Sequence, residues 1–259
     1  MPLVEVVRGE KTKDECIVKA VNYCKAMGKT PVVVNDAPGF LVNRLLVLWL
    51  TEGGHAMKDG LQIEEIDRTM RKWGMPLGVF ELLDTVGLDV CSIIGHTMHA
   101  ALGERYKPSN GLDKFMEANK TRQGTKRLGQ KSGLGFYQWD GRKRGSVDTD
   151  GVYKDIGIQP GSKSLSGDEI IKRFFYQMVN EATLLLKEGV STGPDQIDLA
   201  MIFGTGFPPF RGGLCRWADS VGLKNIVADL EKMEKESGLR FKPHKELVEL
   251  ANSKGRFYD

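Results

Sequence analysis

Apolar residues in the first 36 positions follow the spacing of two strands separated by a helix. Residues 3–7 and 30–34 are short runs of β-favouring side chains, which predicts two strands. Between them, residues 13–27 repeat apolar positions with helical spacing and stop before Gly28, which predicts a helix. A single β-α-β unit cannot cover both faces of its own sheet. We therefore interpret residues 1–36 as the remnant of a larger α/β domain.

After a turn cluster at residues 35–39, helical spacing dominates and the chain contains an internal repeat. The series Arg44, Glu52, Lys58 and Gly60 recurs at one constant offset as Arg173, Glu181, Lys187 and Gly189. Further matches follow in the same order: Ile66-Asp67 with Ile197-Asp198, Met70 with Met201, Gly74-Met-Pro76 with Gly206-Phe-Pro208, and Asp84-Thr-Val-Gly-Leu88 with Asp219-Ser-Val-Gly-Leu223. So many matches in one order predict two copies of one helical unit.

These patterns predict a mainly α protein with four segments. They are the remnant at 1–36, a first helical domain at 37–140, a linker at 141–166 and a second helical domain at 167–259. The linker is rich in Gly, Ser, Lys and Asp, and we expect only one weakly structured stretch in it, near residues 152–158.

Composition and charge exclude several classes of protein. The net charge is +3, with 37 basic and 34 acidic side chains, which is too weak to indicate nucleic-acid binding. The one dense basic cluster, Arg142-Lys143-Arg144, is better explained as a solvated loop than as a phosphate site. Four cysteines without a C-x-x-C pair are typical of a reduced intracellular protein. No apolar run is long enough to predict a membrane span.

Three short patterns resemble functional motifs and fail on context. Gly204-Thr-Gly206 begins like a dinucleotide fingerprint, but a proline stands where the third glycine belongs. Gly189-Val-Ser191-Thr-Gly193 resembles a nucleophile elbow, yet it follows a predicted helix rather than a strand. His96 and His99 share a helix face without a third ligand nearby, so we predict no metal site.

The segment Pro38-Gly-Phe-Leu-Val-Asn43-Arg44 turns the chain into the first long helix. Asn43 falls in the first turn of that helix, where its amide could cap the helix or reach into a binding site. Residue types alone favour the interpretation of Asn43 as a capping or helix-start residue.

Taken together, the motifs resemble the C-terminal part of the 3-hydroxyacyl-CoA dehydrogenase family. Asp36-Ala-Pro-Gly-Phe-Leu-Val-Asn-Arg44 resembles the hinge after the family's NAD domain, and Gly129-Gln-Lys-Ser-Gly-Leu-Gly-Phe-Tyr137 resembles its KxGxGFY segment. Gly204–Gly213 and the ending Ala251–Tyr258 resemble the second repeat of the multifunctional fatty-acid oxidation enzymes. The resemblance implies helical repeats of the type at the C-terminus of 6-phosphogluconate dehydrogenase, with residues 1–36 as a Rossmann remnant.

The resemblance also implies an active site with a histidine, an orienting glutamate, a serine and an asparagine. Glu5 matches the glutamate and Asn43 matches the asparagine. The family's histidine, serine and glycine-rich fingerprint fall upstream of Met1, so we expect an incomplete site. The intact enzyme would use NAD and an acyl-CoA substrate. We expect this chain alone to bind neither NAD nor a metal.

The leading hypothesis is the C-terminal substrate-closing and assembly region of an NAD-dependent 3-hydroxyacyl-CoA dehydrogenase of fatty-acid β-oxidation, inactive alone. The alternative is a non-catalytic subunit or acyl-CoA-binding module that docks a separate NAD-domain partner. For partners, we expect either assembly as a homo-oligomer or docking to a missing NAD-domain half. We expect a cytoplasmic location in a bacterium, and the mitochondrial matrix or the peroxisome in a eukaryote.

Overall fold

The computed structural model describes residues 1–157, 159 and 161–258. Within them the chain forms twelve α-helices and four short strands, which confirms the mainly α fold. The strands are β1 (Leu3–Arg8), β2 (Thr30–Asn35), β3 (Tyr137–Asp140) and β4 (Lys143–Val147). The helices are α1 (Asp14–Ala26), α2 (Val42–Lys58), α3 (Ile63–Trp73), α4 (Val79–Val86), α5 (Leu88–Leu102), α6 (Asn110–Thr121), α7 (Thr149–Ile156), α8 (Gly167–Lys187), α9 (Pro194–Thr205), α10 (Leu214–Val221), α11 (Leu223–Ser237) and α12 (Lys245–Ser253). No helix in the described part of the chain is long and apolar enough to cross a membrane.

The N-terminal β-α-β unit forms as predicted. β1 and β2 pair in parallel from Leu3 opposite Thr30 to Arg8 opposite Asn35. Helix α1 covers one face, where Ile17 and Cys24 pack on Val6. Because the two strands pair only with each other among the described residues, no further strand lies on either outer edge, although the Asn35 N–H at the end of β2 donates to Val190 O at 3.1 Å.

Contacts divide the chain into two compact units. The first unit contains residues 1–46 and 175–259, and the second contains 47–174. Both boundaries fall inside the long helices α2 and α8, so each unit includes the beginning of one repeat's long helix and most of the other repeat. This division differs from the division into repeats, whose boundaries at 37–140 and 167–259 stay predictions.

The first unit contains a buried ion pair between the two repeats. The Arg44 guanidinium is fully buried, and its Nε donates to Glu181 Oε1 at 2.6 Å. Its Nη1 donates to Glu188 Oε2 at 2.5 Å. Both acidic residues belong to the second repeat, whereas Arg44 opens the first.

The second unit contains the same arrangement with the repeats exchanged. Arg173 Nε donates to Glu52 Oε1 at 2.5 Å, and its Nη2 donates to Asp59 Oδ2 at 2.7 Å. Eight residues of helix span about 12 Å, and only residues three or four apart are neighbours on a helix surface, so the arginine and the glutamate of one helix are not adjacent. Each repeat arginine therefore takes its carboxylates from the other copy.

The KxGxGFY segment closes the first repeat inside the second unit. Asp84 accepts hydrogen bonds from the backbone N–H groups of Phe136 and Tyr137 and from Trp139 Nε1. Asp67 accepts from Tyr137 Oη at 2.9 Å as well as from the first N–H groups of α4. A Cβ at position 135 would lie 2.0 Å from Asp84 Oδ1, so the close approach requires glycine there.

The chain's ending closes the second repeat in the same way, inside the first unit. Asp219 accepts from the backbone N–H groups of Phe257 and Tyr258. Asp198 accepts from Tyr258 Oη at 2.6 Å and from the first N–H groups of α10. Each repeat thus binds its terminal aromatic segment through two aspartates.

The segment predicted as a linker contains more regular structure than expected. It holds β4, which forms a hairpin with β3, and α7. Val152, Tyr153 and Ile156 lie on one face of α7 and are buried, and Tyr153 Oη donates to Leu61 O. The predicted weakly structured stretch is therefore a packed helix, although its last residue, Ile158, lies outside the described residues. The polar composition of the segment hid these three apolar positions.

We expect Asp67 and Asp84 to titrate about two pH units above an ordinary aspartate. Burial is the largest cause and raises the pKa of each carboxyl to about 6, against hydrogen bonds that lower it. Because the folded-state pKa exceeds the unfolded one, the stability that each proton contributes is complete below pH ~4 and is lost as pH rises through ~6. Carboxyl ¹³C NMR should place both midpoints near pH 6.

Asp89 is the control, because the Lys131 ammonium beside it holds the pKa of its carboxyl below the ordinary value. In the parent, the free energy of unfolding should fall between pH 4 and 6 as Asp84 loses its proton. In Asp84→Asn this fall should be smaller by up to about 3 kcal/mol, because that proton is absent. Midpoints below pH 4 for Asp67 and Asp84 would contradict this assignment.

Candidate functional site

Glu5 lies in β1 and holds the start of helix α2. Its Oε1 accepts hydrogen bonds from the backbone N–H groups of Leu41 and Val42, at 2.9 and 3.3 Å. The loop before α2 allows this approach because Gly39 and Phe40 both take positive φ values, 75° and 49°. For phenylalanine that conformation is uncommon and strained. The loop backbone is therefore strained at Phe40, where it directs the start of α2 towards β1.

The surroundings of Glu5 act on its charge in opposite directions. Burial raises the pKa of the carboxyl, and the two N–H groups oppose that rise. The positive end of α2 also favours the ionised form. Within the described residues only Oε1 is hydrogen-bonded, so Oε2 can accept from a further group.

Asn43 lies in the first turn of α2, directly after Val42, and its side chain is exposed. The helix end is capped by the Glu5 carboxylate, and the Asn43 amide makes no hydrogen bond with the described residues. Asn43 is therefore a helix-start residue whose amide does not cap the helix. The structure brings Glu5 and Asn43 to the same end of one helix.

Sequence reasoning missed a cavity at the carboxyl ends of β1 and β2. It has a volume of about 420 Å³. It is lined by Arg8, Gly9, Glu10, Thr12, Asn35 and Asp36. Ligands of open α/β sheets bind at this end of the strands, so the two strand ends were a signal that could have found it.

The residues present do not fit the diphosphate of NAD. A dinucleotide site needs a glycine-rich turn that leads into a helix with free N-terminal N–H groups. Here the turn after β1 has one glycine, Gly9, and α1 opens with Asp14 and Glu15. Those carboxylates would repel a phosphate at the helix end.

No group of three metal-binding side chains occurs in the part of the chain that the structure describes. His96 Nε2 lies 2.9 Å from Asp113 Oδ1, and His99 Nε2 lies 3.4 Å from Glu104 Oε1. Both contacts are on the surface.

The other two patterns lie at the ends of helices. Gly204 lies inside α9, and Gly206 ends that helix with a left-handed conformation, φ 74°. Ser191 follows the end of α8 and donates from Oγ to Gly193 O at 3.0 Å. Neither segment has the strand-turn-helix geometry of a nucleotide fingerprint or a nucleophile elbow.

Family models match nearly the whole chain. The model described as 3-hydroxyacyl-CoA dehydrogenase, C-terminal domain, matches residues 39–139 and 170–258. The model described as 3-hydroxyacyl-CoA dehydrogenase, NAD binding domain, matches residues 1–37.

Curated relatives extend far beyond the aligned region. The fatty acid oxidation complex subunit alpha of Shewanella loihica is 38% identical over 261 residues, covering 100% of this chain and 36% of that protein. The protein of the same description from Shewanella oneidensis is 38% identical over 259 residues, covering 100% of this chain and 36% of that protein. The chain thus spans about a third of the length of these relatives.

Two crystal structures share the fold. The 3-hydroxybutyryl-CoA dehydrogenase of Escherichia coli superposes with a TM-score of 0.77 at 22% identity, covering 97% of this chain and 68% of that one. The dehydrogenase part of multifunctional enzyme 1 from C. elegans superposes with a TM-score of 0.66 at 22% identity, covering 96% of this chain and 56% of that one. Both superpositions span the β-α-β unit and the helical repeats of this chain.

Proposed function

Because the chain belongs to the 3-hydroxyacyl-CoA dehydrogenase family, we propose that it is the substrate-closing and assembly region of such an enzyme in fatty-acid β-oxidation. It supplies Glu5 and Asn43 to an active site whose base and nucleotide-binding residues come from other sequence. The observation that carries this proposal is the Glu5 carboxylate bound at the start of α2, next to Asn43. The names of the curated relatives support the fatty-acid oxidation setting.

Oxidation of a 3-hydroxyl group requires a base for the hydroxyl proton and an acceptor for the hydride. In this family NAD is the acceptor. Glu5 is suited to orient a base, because Oε1 is fixed by two backbone N–H groups while Oε2 can accept from an imidazole N–H. A carboxylate in this role selects the tautomer and stabilises the charge that forms on the ring.

Asn43 is suited to position the substrate. Its amide offers two donors and an acceptor, and its place in the exposed first turn of α2 lets it reach a bound acyl group. A hydrogen bond to the 3-oxygen would hold the reacting carbon in place. Such positioning adds to the rate without a proton transfer.

Variants at both positions should separate catalysis from folding in the enzyme that contains this region. Glu5→Gln keeps an oxygen for the cap, so its melting temperature should stay near that of the parent while kcat falls about ten- to hundredfold. Asn43→Ala should lower kcat/KM about tenfold, since one positioning hydrogen bond is lost. NADH formation from 3-hydroxybutyryl-CoA measures both effects.

Glu15→Gln and Asn22→Ala are the matched controls, because both side chains are exposed on α1. They should leave kcat and KM unchanged. A Glu5→Gln enzyme with parental kcat and an unchanged pH profile would refute the orienting role.

The 259 residues alone should form no NADH from 3-hydroxybutyryl-CoA. Mixing them with a polypeptide that carries the family's fingerprint and histidine should restore activity, and Glu5→Gln should weaken the restored rate. NADH formation by the pure chain would overturn the proposal.

A separate docking subunit is the second candidate, favoured by the unpaired edges of the β1–β2 sheet. An unpaired strand edge readily binds another strand. Capture of an NAD-domain partner that is encoded separately would support this candidate. Finding the NAD domain on the same polypeptide would end it.

A further inference from the structure

A basic cavity of about 540 Å³ lies in the second unit, away from Glu5 in sequence. Residues of helix α3 and of the β3–β4 hairpin line it. The lining consists of four cations, Arg68, Arg71, Lys72 and Arg144, together with Glu64, Asp67, Tyr137 and Gly145. None of these residues has a role in the proposed dehydrogenase site.

A buried carboxylate fixes two of the four cations. Arg71 donates to Glu81 from Nε at 3.0 Å and from Nη2 at 2.6 Å, and Arg144 Nη1 donates to the same carboxylate at 3.3 Å. The Glu81 side chain is only 8% exposed. The Arg144 guanidinium also lies 4.7 Å over the Tyr137 ring. Both guanidinium groups are therefore pre-positioned, which lowers the entropy lost when they bind a ligand.

The other two cations have no such anchor. Arg68 and Lys72 are exposed and lie four residues apart on α3. Neither makes a hydrogen bond or ion pair with the residues that the structure describes. Like charges at this spacing repel each other and destabilise the helix. An anion bound between them would remove that repulsion.

The second repeat shows that the repeat fold does not require these charges. Matching α3 with α9 through Ile66-Asp67 and Ile197-Asp198 places Leu199, Ile202 and Phe203 where Arg68, Arg71 and Lys72 stand. Arg216 occupies the position of Glu81. The backbone N–H of Glu81 donates to Asp67, and that of Arg216 donates to the equivalent Asp198. The cations are therefore a feature of the first repeat alone.

We infer that this cavity binds the phosphate groups of a multiply charged ligand, such as a diphosphate or a phosphorylated nucleotide. The Arg68 guanidinium can match phosphate oxygens in a forked geometry, Arg71 and Arg144 keep N–H groups that Glu81 does not use, and the Lys72 ammonium adds a point charge. Asp67 in the lining does not compete for the cations, because Phe80, Glu81 and Tyr137 already donate to its oxygens. Of the cluster predicted as a solvated loop, Arg142 lies in the hairpin turn, whereas Lys143 and Arg144 belong to β4 and Arg144 donates to Glu81.

Two sources could supply this chemistry. The nucleotide end of coenzyme A carries a diphosphate and a 3′-phosphate, and this source rests on the proposed function. Free inorganic diphosphate is the other source and does not depend on it.

Calorimetry on the full chain at low ionic strength tests the site with inorganic diphosphate, coenzyme A and dephospho-coenzyme A as probes. We expect diphosphate to bind and the Kd to rise about tenfold in the double variant Arg68→Gln/Lys72→Gln, since two exposed ion pairs are lost. The control Lys232→Gln/Lys235→Gln removes two exposed cations from α11 and should leave the Kd unchanged. Binding should weaken as salt is added.

Tighter binding of coenzyme A than of its dephospho form, lost in the Arg68/Lys72 variant, would support the nucleotide source. Equal binding of diphosphate and coenzyme A would support the free anion. Absence of heat with all three probes, or equal affinity in the Arg68/Lys72 variant and the parent, would overturn the inference. No assay here uses turnover, so a failed dehydrogenase proposal would leave the diphosphate result intact.

Discussion

Replacing Arg44 by methionine is expected to lower the free energy of unfolding by about 3–5 kcal/mol. The substitution keeps the approximate length of the side chain but leaves the Glu181 carboxylate, 1% exposed, without its guanidinium. His244 Nε2 lies 3.6 Å from the other oxygen of Glu181 and offsets only part of that loss. Urea denaturation followed by circular dichroism measures the change.

The matched variant in the other unit is Arg173→Met, which removes the guanidinium that donates to Glu52. It should cost a similar amount, because Glu52 is equally buried. The double variant Arg44→Met/Glu181→Leu should recover most of the stability, since a packed apolar pair can replace a buried ion pair.

Lys245→Met is the surface control. Its side chain is 81% exposed and its Nζ lies 3.3 Å from Glu249 Oε1, so the loss of the ammonium should change stability by less than about 0.5 kcal/mol. If Arg44→Met behaved like this control, the buried pair would contribute nothing to folding.

Phe136→Ala is expected to lower the free energy of unfolding by about 3–5 kcal/mol. Phe136 is 1% exposed, and its ring packs edge-to-face on Phe80 at 4.8 Å and on Phe115 at 5.2 Å. The substitution would open a cavity among these rings. Thermal unfolding by calorimetry is the measurement.

The repeat offers its own control at Phe257, which occupies the matching place beside Asp219. Phe257 is only half-buried, so Phe257→Ala should cost about 1–2 kcal/mol, in proportion to its smaller buried area. Equal losses in the two variants would show that the terminal segments of both repeats are packed alike.

Local patterns predicted the elements well. Strand and helix spacing placed β1, α1 and β2 within one or two residues, because these elements depend on neighbouring side chains and on Gly28. The polar segment after Asp140 was predicted less well, since α7 owes its stability to contacts of Val152 and Tyr153 with distant residues.

The candidate site depended on resemblance rather than on pattern. Glu5 looks like any strand residue, and nothing in its neighbours indicates that it caps a helix 36 residues later. Asn43 had a local explanation as a capping or helix-start residue, so its neighbours did not indicate a site either. The basic cavity could not be predicted either, because Arg68 and Arg144 are 76 positions apart in the sequence and meet only when the hairpin packs near α3.

The sequence by itself determined that the chain carries two copies of one helical unit after a β-α-β unit, because repetition and periodicity are properties of residue order. It also marked Arg44 as equivalent to Arg173, and Glu52 as equivalent to Glu181. Only the tertiary structure decided that each arginine pairs with the glutamate of the other copy. The reason is spacing, since residues eight apart on one helix are about 12 Å apart and are not neighbours on its surface. The partner then has to come from packing between repeats, and residue order does not specify that packing.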